Sequence, residues 1–379
     1  KLLEEFRVPL QKSIDTLLPR LYAGLEEEDD DDNYSVYTGT SGIALLHLHL
    51  HLKSDRSDRK QLEKVESYLK HPLRHLKGRR LSFLCGDAGP LALGTVVYHL
   101  LGKEKECSNC LKKLILLHQR VIEPGSRIPD EILYGRSGYL YALLFVQKHL
   151  GKDEIDSSLI VKVCKAILDS GETLAKAERW QHPLMYQWHE KHYLGAAHGL
   201  AGIFYMLMQV DDPVIRPYLE SLVRPSVDYM LTLRFPSGNC PSSIGSSTGD
   251  KLIHWCHGAP GWIHMFILAY KIFSDTKYLD AAKSCADVIW TRGVLRKGYG
   301  MCHGTAGNGY ALLAMYKLTK DQSYLHKAYK FAEWCFDYGK HGCGTPDTPF
   351  SLFEGMAGTI YFLIDLLDPV NSAFPAFEL

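Results

Sequence analysis

Seven glycine pairs with the spacing Gly-x-x-Gly, each followed by an apolar run, recur along this chain of 379 residues. Their first glycines are separated by 47, 49, 64, 59, 46 and 51 residues. The chain has 32 glycines, and chance alone would give only about three pairs at this spacing. The pairs are Gly39/Gly42, Gly86/Gly89, Gly135/Gly138, Gly199/Gly202, Gly258/Gly261, Gly304/Gly307 and Gly355/Gly358. The pattern therefore indicates an internal repeat of two helices and their loops, which buries its apolar faces against neighbouring repeats.

The apolar run after each glycine pair predicts a buried helix, because a helix that is apolar on nearly all sides must be covered on all sides. Charged, amphipathic stretches alternate with these runs, and residues 2–25 supply one more before the first repeat. An open solenoid needs polar caps at its ends, whereas the first and last runs here are as apolar as the middle ones. We therefore predict an all-α fold, a closed (α/α)7 barrel or double toroid with seven inner and seven outer helices.

The repeats leave no boundary for a second domain. We predict one domain over residues 1–379, with an outer helix and an acidic linker in residues 1–33 and the seven repeats in residues 34–379. Residues 26–32 are seven consecutive acids, for which we expect a solvated or disordered linker. Because the first residue is Lys1 rather than methionine, we expect the sequence to be part of a longer chain.

The charge balance and the cysteine content indicate which partners and which cellular compartment to expect. The 43 basic residues balance the 43 acidic residues, which argues against nucleic acid as a partner. No apolar run approaches the length of a membrane-spanning helix. Several of the ten cysteines lie within helix-like apolar patterns, and no signal peptide is visible, so we predict reduced thiols in the cytoplasm. The nucleus and the periphery of the plasma membrane are the alternative locations.

Aligning the repeats on their first glycines brings metal-ligand side chains into register. The preceding residues are, in order, Thr38, Cys85, Tyr134, His198, His257, His303 and Glu354. One position earlier, two adjacent repeats carry Cys256 and Cys302, so the two thiols are predicted to lie close together. Either neighbouring histidine can complete a Cys₂His set for zinc, and three protein ligands leave the open position of a catalytic site. Ordinary buried cysteines are the alternative, which the matched register disfavours.

The same end of the barrel collects the N-termini of the inner helices. Their positive ends favour thiolates and bound anions, so lowered pKa values are predicted for both cysteines. His198 is a candidate general acid, with a core histidine as the alternative. Arg136 is a candidate contact for a phosphate or carboxylate, with a structural ion pair as the alternative. The polar stretch 236–250 is a candidate rim or lid beside the metal, with a slack surface loop as the alternative.

The motifs around the glycines resemble those of the eukaryotic branch of the LanC-like (lanthionine synthetase C-like) proteins, relatives of the bacterial lantibiotic cyclases. The resemblance covers nearly the whole chain, from Tyr37 to the closing FPAFEL of residues 374–379. The matching stretches are residues 83–89 (FLCGDAG), 134–139 (YGRSGY), 195–202 (GAAHGLAG), 254–261 (HWCHGAPG), 297–304 (KGYGMCHG) and 351–358 (SLFEGMAG).

The resemblance implies a double α-toroid and one zinc ion held by Cys256, Cys302 and His303. It implies glutathione as co-substrate, with Lys297 beside the anionic groups of the peptide, and proton transfer by His198. The implied activity is that of a zinc-dependent transferase, which adds the glutathione thiol to dehydroalanine or dehydrobutyrine residues of peptides or proteins. His257 and Arg136 are then expected to contact the substrate.

One departure concerns the glutathione site. Members of the family often carry arginine within a Cys-Arg-x-Pro stretch, and that arginine contributes to glutathione contact. Here the stretch is Cys343-Gly344-Thr345-Pro346. The resemblance therefore implies weaker glutathione binding or a changed binding mode.

Two other function classes are compatible with parts of this pattern. The alternative is a non-catalytic adaptor that binds glutathione or a small ligand of the hormone or abscisic-acid type, associates with membrane surfaces, and has kinases or other signalling proteins as partners. A zinc barrel of the prenyltransferase type would use an Asp-Cys-His set, and the pair Cys256 and Cys302 argues against it.

Overall fold

The computed structural model describes residues 1–28 and 32–379. The middle of the predicted acidic linker, residues 29–31, lies outside the described residues. Inner helices with even numbers follow the seven glycine turns. They are α2 Thr40–Lys53, α4 Ala88–Leu100, α6 Arg136–Leu150, α8 Leu200–Met208, α10 Ala259–Phe273, α12 Thr305–Thr319 and α14 Met356–Leu366.

Outer helices with odd numbers alternate with them. They are α1 Leu2–Glu27, α3 Lys60–Arg74, α5 Glu104–Leu116, α7 Ser157–Ala177, α9 (Arg216–Tyr218, a π turn Leu219–Val223 and Arg224–Leu231), α11 Thr276–Arg292 and α13 Gln322–Phe336. Short turns lie at His118–Val121, Lys152–Glu154 and Pro369–Asn371. Over the described ranges, β-structure is limited to two isolated bridges, Trp188 with Lys191 and Tyr193 with Ser243.

The inner helices form a closed ring. Each one packs against the next, and α14 packs against α2. Every residue of α8 is buried, whereas the outer helix α3 buries one stripe and exposes its charged face. Helix α1 covers the seam by packing against α13 and α14. The prediction of an all-α barrel with seven inner and seven outer helices is confirmed. None of the helices in the described parts of the chain is both long and apolar enough to cross a bilayer.

Backbone hydrogen bonds tie the glycine turns to one another at one end of the ring. The donors and acceptors occupy the column that contains the two predicted cysteine ligands. The bonds run from the amide of Tyr37 to the carbonyl of Leu84, Leu133 to Ala197, Cys256 to Cys302, Cys302 to Phe353, and Phe353 back to Tyr37, at 2.9 to 3.2 Å. The seventh turn is thus joined to the first, and the aligned column of the sequence is a ring in space.

The closing segment of the chain fills the space inside the inner helices. Phe374 and Phe377 are fully buried; Phe374 stacks on Trp255, and Phe377 packs on Tyr205. Lys317 holds the segment through an ion pair with Glu378. The inner helices are therefore apolar toward the barrel axis as well as toward the outer layer, and the site described next lies above this plug.

Candidate metal centre at the mouth of the barrel

Cys256, Cys302 and His303 converge at the turns that precede α10 and α12. The amide of Cys256 donates to the carbonyl of Cys302 at 3.1 Å, which sets the two turns side by side. One ligand atom from each of the three residues lies within 4.8 Å of the others. The two cysteines are 8% and 2% exposed, and His303 is half-buried.

This set of donors fits zinc. Thiolate and imidazole ligands at about 2.3 and 2.0 Å from a tetrahedral ion would lie about 3.5 to 4 Å apart, so small side-chain movements would bring the three atoms together. Three protein ligands leave a fourth position for a substrate atom. A second cluster among the described residues, His99, Glu104 and Cys107 on the outside of the barrel, has two exposed members. It lies away from the ring of glycine turns.

The protonation of the thiols differs from the sequence prediction. The pKa of Cys302 is raised well above its usual range, first by a hydrogen bond with Cys256 and then by burial. The helix N-termini do not outweigh these effects, because two neighbouring buried thiols oppose each other's ionisation. The prediction of a lowered pKa is therefore wrong for Cys302 in the metal-free protein. A bound cation would reverse the balance, because coordinated thiols lose their protons.

Tyr37 belongs to the site although it is not among the ligand or substrate residues predicted from the sequence. Its hydroxyl donates to the Cys302 sulfur at 2.9 Å. Burial, and then the neighbouring Cys302, raise the pKa of Tyr37 far above its usual range, so the phenol remains a donor. The signal was present in the sequence, because Tyr37 occupies the same repeat column as the two cysteines. It becomes their neighbour because the ring closes.

His198 is held in one orientation by Glu131. The imidazole Nδ1 and the Glu131 Oε2 are 2.8 Å apart, and the other carboxylate oxygen accepts from the amide of Tyr134 at 2.7 Å. Glu131 is 1% exposed; burial raises its pKa, and the hydrogen bond from His198 acts against that rise. The ring of His198 stacks on Trp188 with centroids 3.9 Å apart. With Nδ1 bound to the carboxylate, Nε2 is left for proton transfer.

His257 lies near both the His198–Glu131 pair and the candidate metal ligands. Its ring centroid is 6.3 Å from that of His198, and its Nδ1 is buried without a hydrogen-bond partner in the part of the chain that the structure describes. Burial, and then the nearby His198, lower the pKa of His257 to about 4. The ring is therefore neutral near pH 7. The set of converging ligand atoms contains His303 and not His257.

Arg136 lies apart from this cluster. Its side chain is buried and bonded to Asp130 at 3.0 Å, to the carbonyl of Val121 at 2.7 Å and to the carbonyl of Ile128 at 2.8 Å. These contacts give Arg136 the structural ion pair that was the alternative in the sequence analysis. The expectation that it contacts substrate is corrected, because its donors already have protein partners.

A cavity of about 650 Å³ opens beside His303. Lys297 lines it, together with Glu354, Gly344 and Tyr299, and the Lys297 side chain is exposed. Small-molecule sites have volumes of about 300 to 1,000 Å³, so the cavity is large enough for a short peptide. Of the predicted substrate contacts, the structure thus places Lys297 beside a metal-ligand candidate.

The loop of residues 236–250 borders a second cavity, of about 350 Å³, whose lining includes Ile244, Tyr193 and His257. Asp250 fixes one end of the loop through hydrogen bonds with Asn239 at 2.8 Å and Arg292 at 3.0 Å. The loop therefore lines a cavity beside His257, which favours the hypothesis of a rim or lid over that of a slack surface loop.

Comparisons with known proteins agree with this geometry. The family model described as lanthionine synthetase C-like protein matches residues 30–379. A protein of Danio rerio named Glutathione S-transferase LANCL1 is 50% identical over 379 residues, covering 100% of this chain and 93% of the relative. Among solved structures, nisin cyclase superposes with a TM-score of 0.66 at 17% identity, covering 96% of this chain and 94% of that chain. At that identity the structural likeness shows the fold.

Proposed function

This chain belongs to the lanthionine synthetase C-like family, and we propose that it is a zinc-dependent glutathione transferase acting on dehydroalanine and dehydrobutyrine residues of peptides and proteins. The observation that carries the proposal is the convergence of Cys256, Cys302 and His303 beside a cavity lined by Lys297. The similarity to a relative named as a glutathione S-transferase supports the choice of thiol. We place the activity in the cytoplasm, where glutathione is reduced.

In this proposal Cys256, Cys302 and His303 hold the zinc ion. When bound, zinc lowers the pKa of a thiol so that it reacts as a thiolate near neutral pH. Tyr37 supports the ligand set by its hydrogen bond to the Cys302 sulfur, because partners of metal ligands orient them and tune their basicity.

The remaining residues bind the peptide and move a proton. Lys297 holds a carboxylate of glutathione in the cavity, which places the thiol at the open side of the ligand set. The glutathione thiol loses its proton to solvent. Its sulfur then adds to the β-carbon of the dehydroamino acid, and the electron pair of the double bond moves to the α-carbon and its amide oxygen. His198, oriented by Glu131, then delivers a proton to the α-carbon. The product is a thioether, and no oxidant or reductant is consumed.

The test is thioether formation on a synthetic peptide that contains dehydroalanine. With glutathione and the wild-type protein, mass spectrometry is expected to show a peptide heavier by one glutathione. Cys302→Ala is expected to abolish the gain. Cys107→Ala, which removes a ligand of the outer cluster, is the matched control and is expected to retain activity.

An adduct formed equally by Cys302→Ala would contradict the proposal. Glutathione binding by the wild type without any adduct would favour the non-catalytic binding protein instead.

A further inference from the structure

A second cationic side chain, from the N-terminal helix, lines the cavity beside His303. Arg20 of the outer helix α1 and Lys297 of the loop before α12 share this cavity. Two carboxylates, Asp347 and Glu354, line it as well. Only Lys297 was selected from the sequence, because nothing in the pattern of α1 distinguishes Arg20 from a solvated outer-helix residue.

The packing of α1 explains why Arg20 reaches this cavity. Gly24 is buried on α1, and a Cβ added to it would lie 2.1 Å from the Cζ atom of Phe350. The helix therefore rests directly on Phe350, which also lines the cavity. Residues four apart lie on the same face of a helix, so Arg20 projects from that face one turn earlier. Its guanidinium lies 5.8 Å from the ring centroid of Tyr338, another lining residue.

Arg20 is an exposed residue. Within residues 1–28 and 32–379 its guanidinium has no ion pair or hydrogen bond. Other cations of the protein, such as Arg136 and Arg292, are engaged by carboxylates. A guanidinium presents a planar set of donors that matches a carboxylate in two parallel hydrogen bonds. The hydrogen-bond donors of Arg20 are thus free to meet a carboxylate on the wall of a cavity that is large enough for a peptide.

We propose that Arg20 binds one carboxylate of glutathione while Lys297 binds the other. The inference rests on the proposed function. Glutathione carries two carboxylates and one ammonium group, and the two cations and two carboxylates of the cavity wall complement that charge pattern. Gly344 lines the same cavity, and a Cβ there would have no atom within 4 Å. Arg20 therefore supplies a guanidinium to a cavity in which residue 344 provides none.

Calorimetric titration with S-methylglutathione tests the inference apart from catalysis, because this ligand has both carboxylates and no free thiol. Arg20→Ala is expected to raise the Kd roughly tenfold, the loss of one charge-assisted hydrogen-bonded pair at an exposed site. Arg20→Lys is expected to recover part of the affinity. Arg7→Ala, which removes an exposed arginine elsewhere on α1, is the matched control with an unchanged Kd.

Two further measurements separate charge recognition from packing. Esterifying both carboxylates of the ligand is expected to make its binding insensitive to Arg20→Ala. Adding Gly344→Arg to Arg20→Ala is expected to restore affinity, because the new side chain has room in the same cavity.

Equal Kd values for the wild type and Arg20→Ala would overturn the inference and leave the proposed function standing. An equal loss for the diester, or no gain from Gly344→Arg, would also overturn it. No binding of S-methylglutathione by the wild type would also overturn the inference, whereas the proposed function is decided by thioether formation with glutathione itself.

Discussion

Two pairs of side chains at the mouth of the barrel are joined by hydrogen bonds. The Glu131 carboxylate holds Nδ1 of His198, and the Tyr37 hydroxyl holds the sulfur of Cys302. Glu131 is buried and Tyr37 is half-buried, so water weakens these hydrogen bonds less than it would at the surface. The chemistry proposed for His198 and for the thiols therefore depends also on Glu131 and Tyr37.

Replacing Glu131 by glutamine tests its role as a positioning residue. Glutamine has nearly the same shape as glutamate but no negative charge. It therefore favours the protonation of Nδ1 less than glutamate does, and the tautomer of His198 with an unprotonated Nε2 is less stabilised. We expect kcat for thioether formation to fall about 10- to 100-fold, within the range that general acid catalysis contributes. The KM for glutathione is expected to stay within about twofold, because Lys297 and the cavity are unchanged.

His192→Asn is the matched control for this prediction. It breaks another histidine–glutamate pair, His192 with Glu178 at 2.7 Å, which is more exposed to water. An unchanged kcat in Glu131→Gln, or an equal loss in the control, would contradict the positioning role.

The sequence predicted some of these residues and missed others for physical reasons. Repeat alignment placed Cys256 and Cys302 side by side because backbone hydrogen bonds link equivalent positions of neighbouring turns. Glu131 lies four residues before a glycine, at a position that is serine in three of the other repeats, glycine in two and histidine in one, so the column gave no signal for a carboxylate. Arg136 was assigned to the mouth because of its position in a turn, but its side chain points to the loop carbonyls of Val121 and Ile128.

At the scale of the helix and its turn, the second glycine of each pair has a steric role. A Cβ added to Gly307 would lie 1.8 Å from the carbonyl oxygen of Met301, six residues earlier. The second glycines of the other turns meet the carbonyl at the same offset, as for Gly202 with Ala196 at 2.0 Å. The glycines therefore let each helix begin directly against its own turn, which brings the adjacent turns within hydrogen-bonding distance.

Gly307→Ala is expected to distort the turn that carries Cys302 and His303. The new Cβ would clash with a backbone carbonyl, which cannot move without disturbing the closely packed turn. We therefore expect the free energy of unfolding to fall by about 2 to 4 kcal/mol and the zinc content to be reduced. Urea unfolding and metal analysis measure the two effects. Gly344→Ala is the control, because a Cβ there meets nothing within 4 Å. Wild-type stability in Gly307→Ala would contradict the steric role.

The helices themselves were predictable because an all-round apolar run and a one-sided amphipathic run have different periodicities. The π turn at Leu219–Val223 was not predictable, because it is a local change in hydrogen bonding within an ordinary helical pattern.

The whole molecule is a ring of helices filled by its own closing segment. His264 of α10 packs against this segment, with its ring centroid 5.4 Å from Phe377. Burial lowers the pKa of His264 to about 4; Glu378 acts to raise it and Lys317 to lower it. The closed ring was predictable from equally apolar first and last helices. The filling of its centre was not, because residues 374–379 carry no repeat signal.

Acidification is expected to destabilise the fold through His264. The unfolded histidine, with a pKa near 6.5, binds protons before the folded one does. Stability is therefore full above about pH 6.5 and falls as the pH drops toward 4. The free energy of unfolding of His264→Gln is expected to fall less between pH 7 and pH 4 than that of the wild type, by on the order of 3 kcal/mol, because one pKa unit corresponds to about 1.4 kcal/mol.

Urea unfolding between pH 7 and pH 4 measures this effect. The exposed His75 provides the control, and His75→Gln is expected to follow the wild type. Parallel pH profiles for the wild type and His264→Gln would contradict the assignment.

Metal content tests the central claim that Cys256, Cys302 and His303 form a zinc site. Protein purified without chelators and analysed by inductively coupled plasma mass spectrometry is expected to contain one zinc ion per chain. Cys302→Ala is expected to lose it, while Cys107→Ala in the outer cluster is expected to keep it. A zinc content far below one per chain in the wild type, or full zinc retention in Cys302→Ala, would contradict the account.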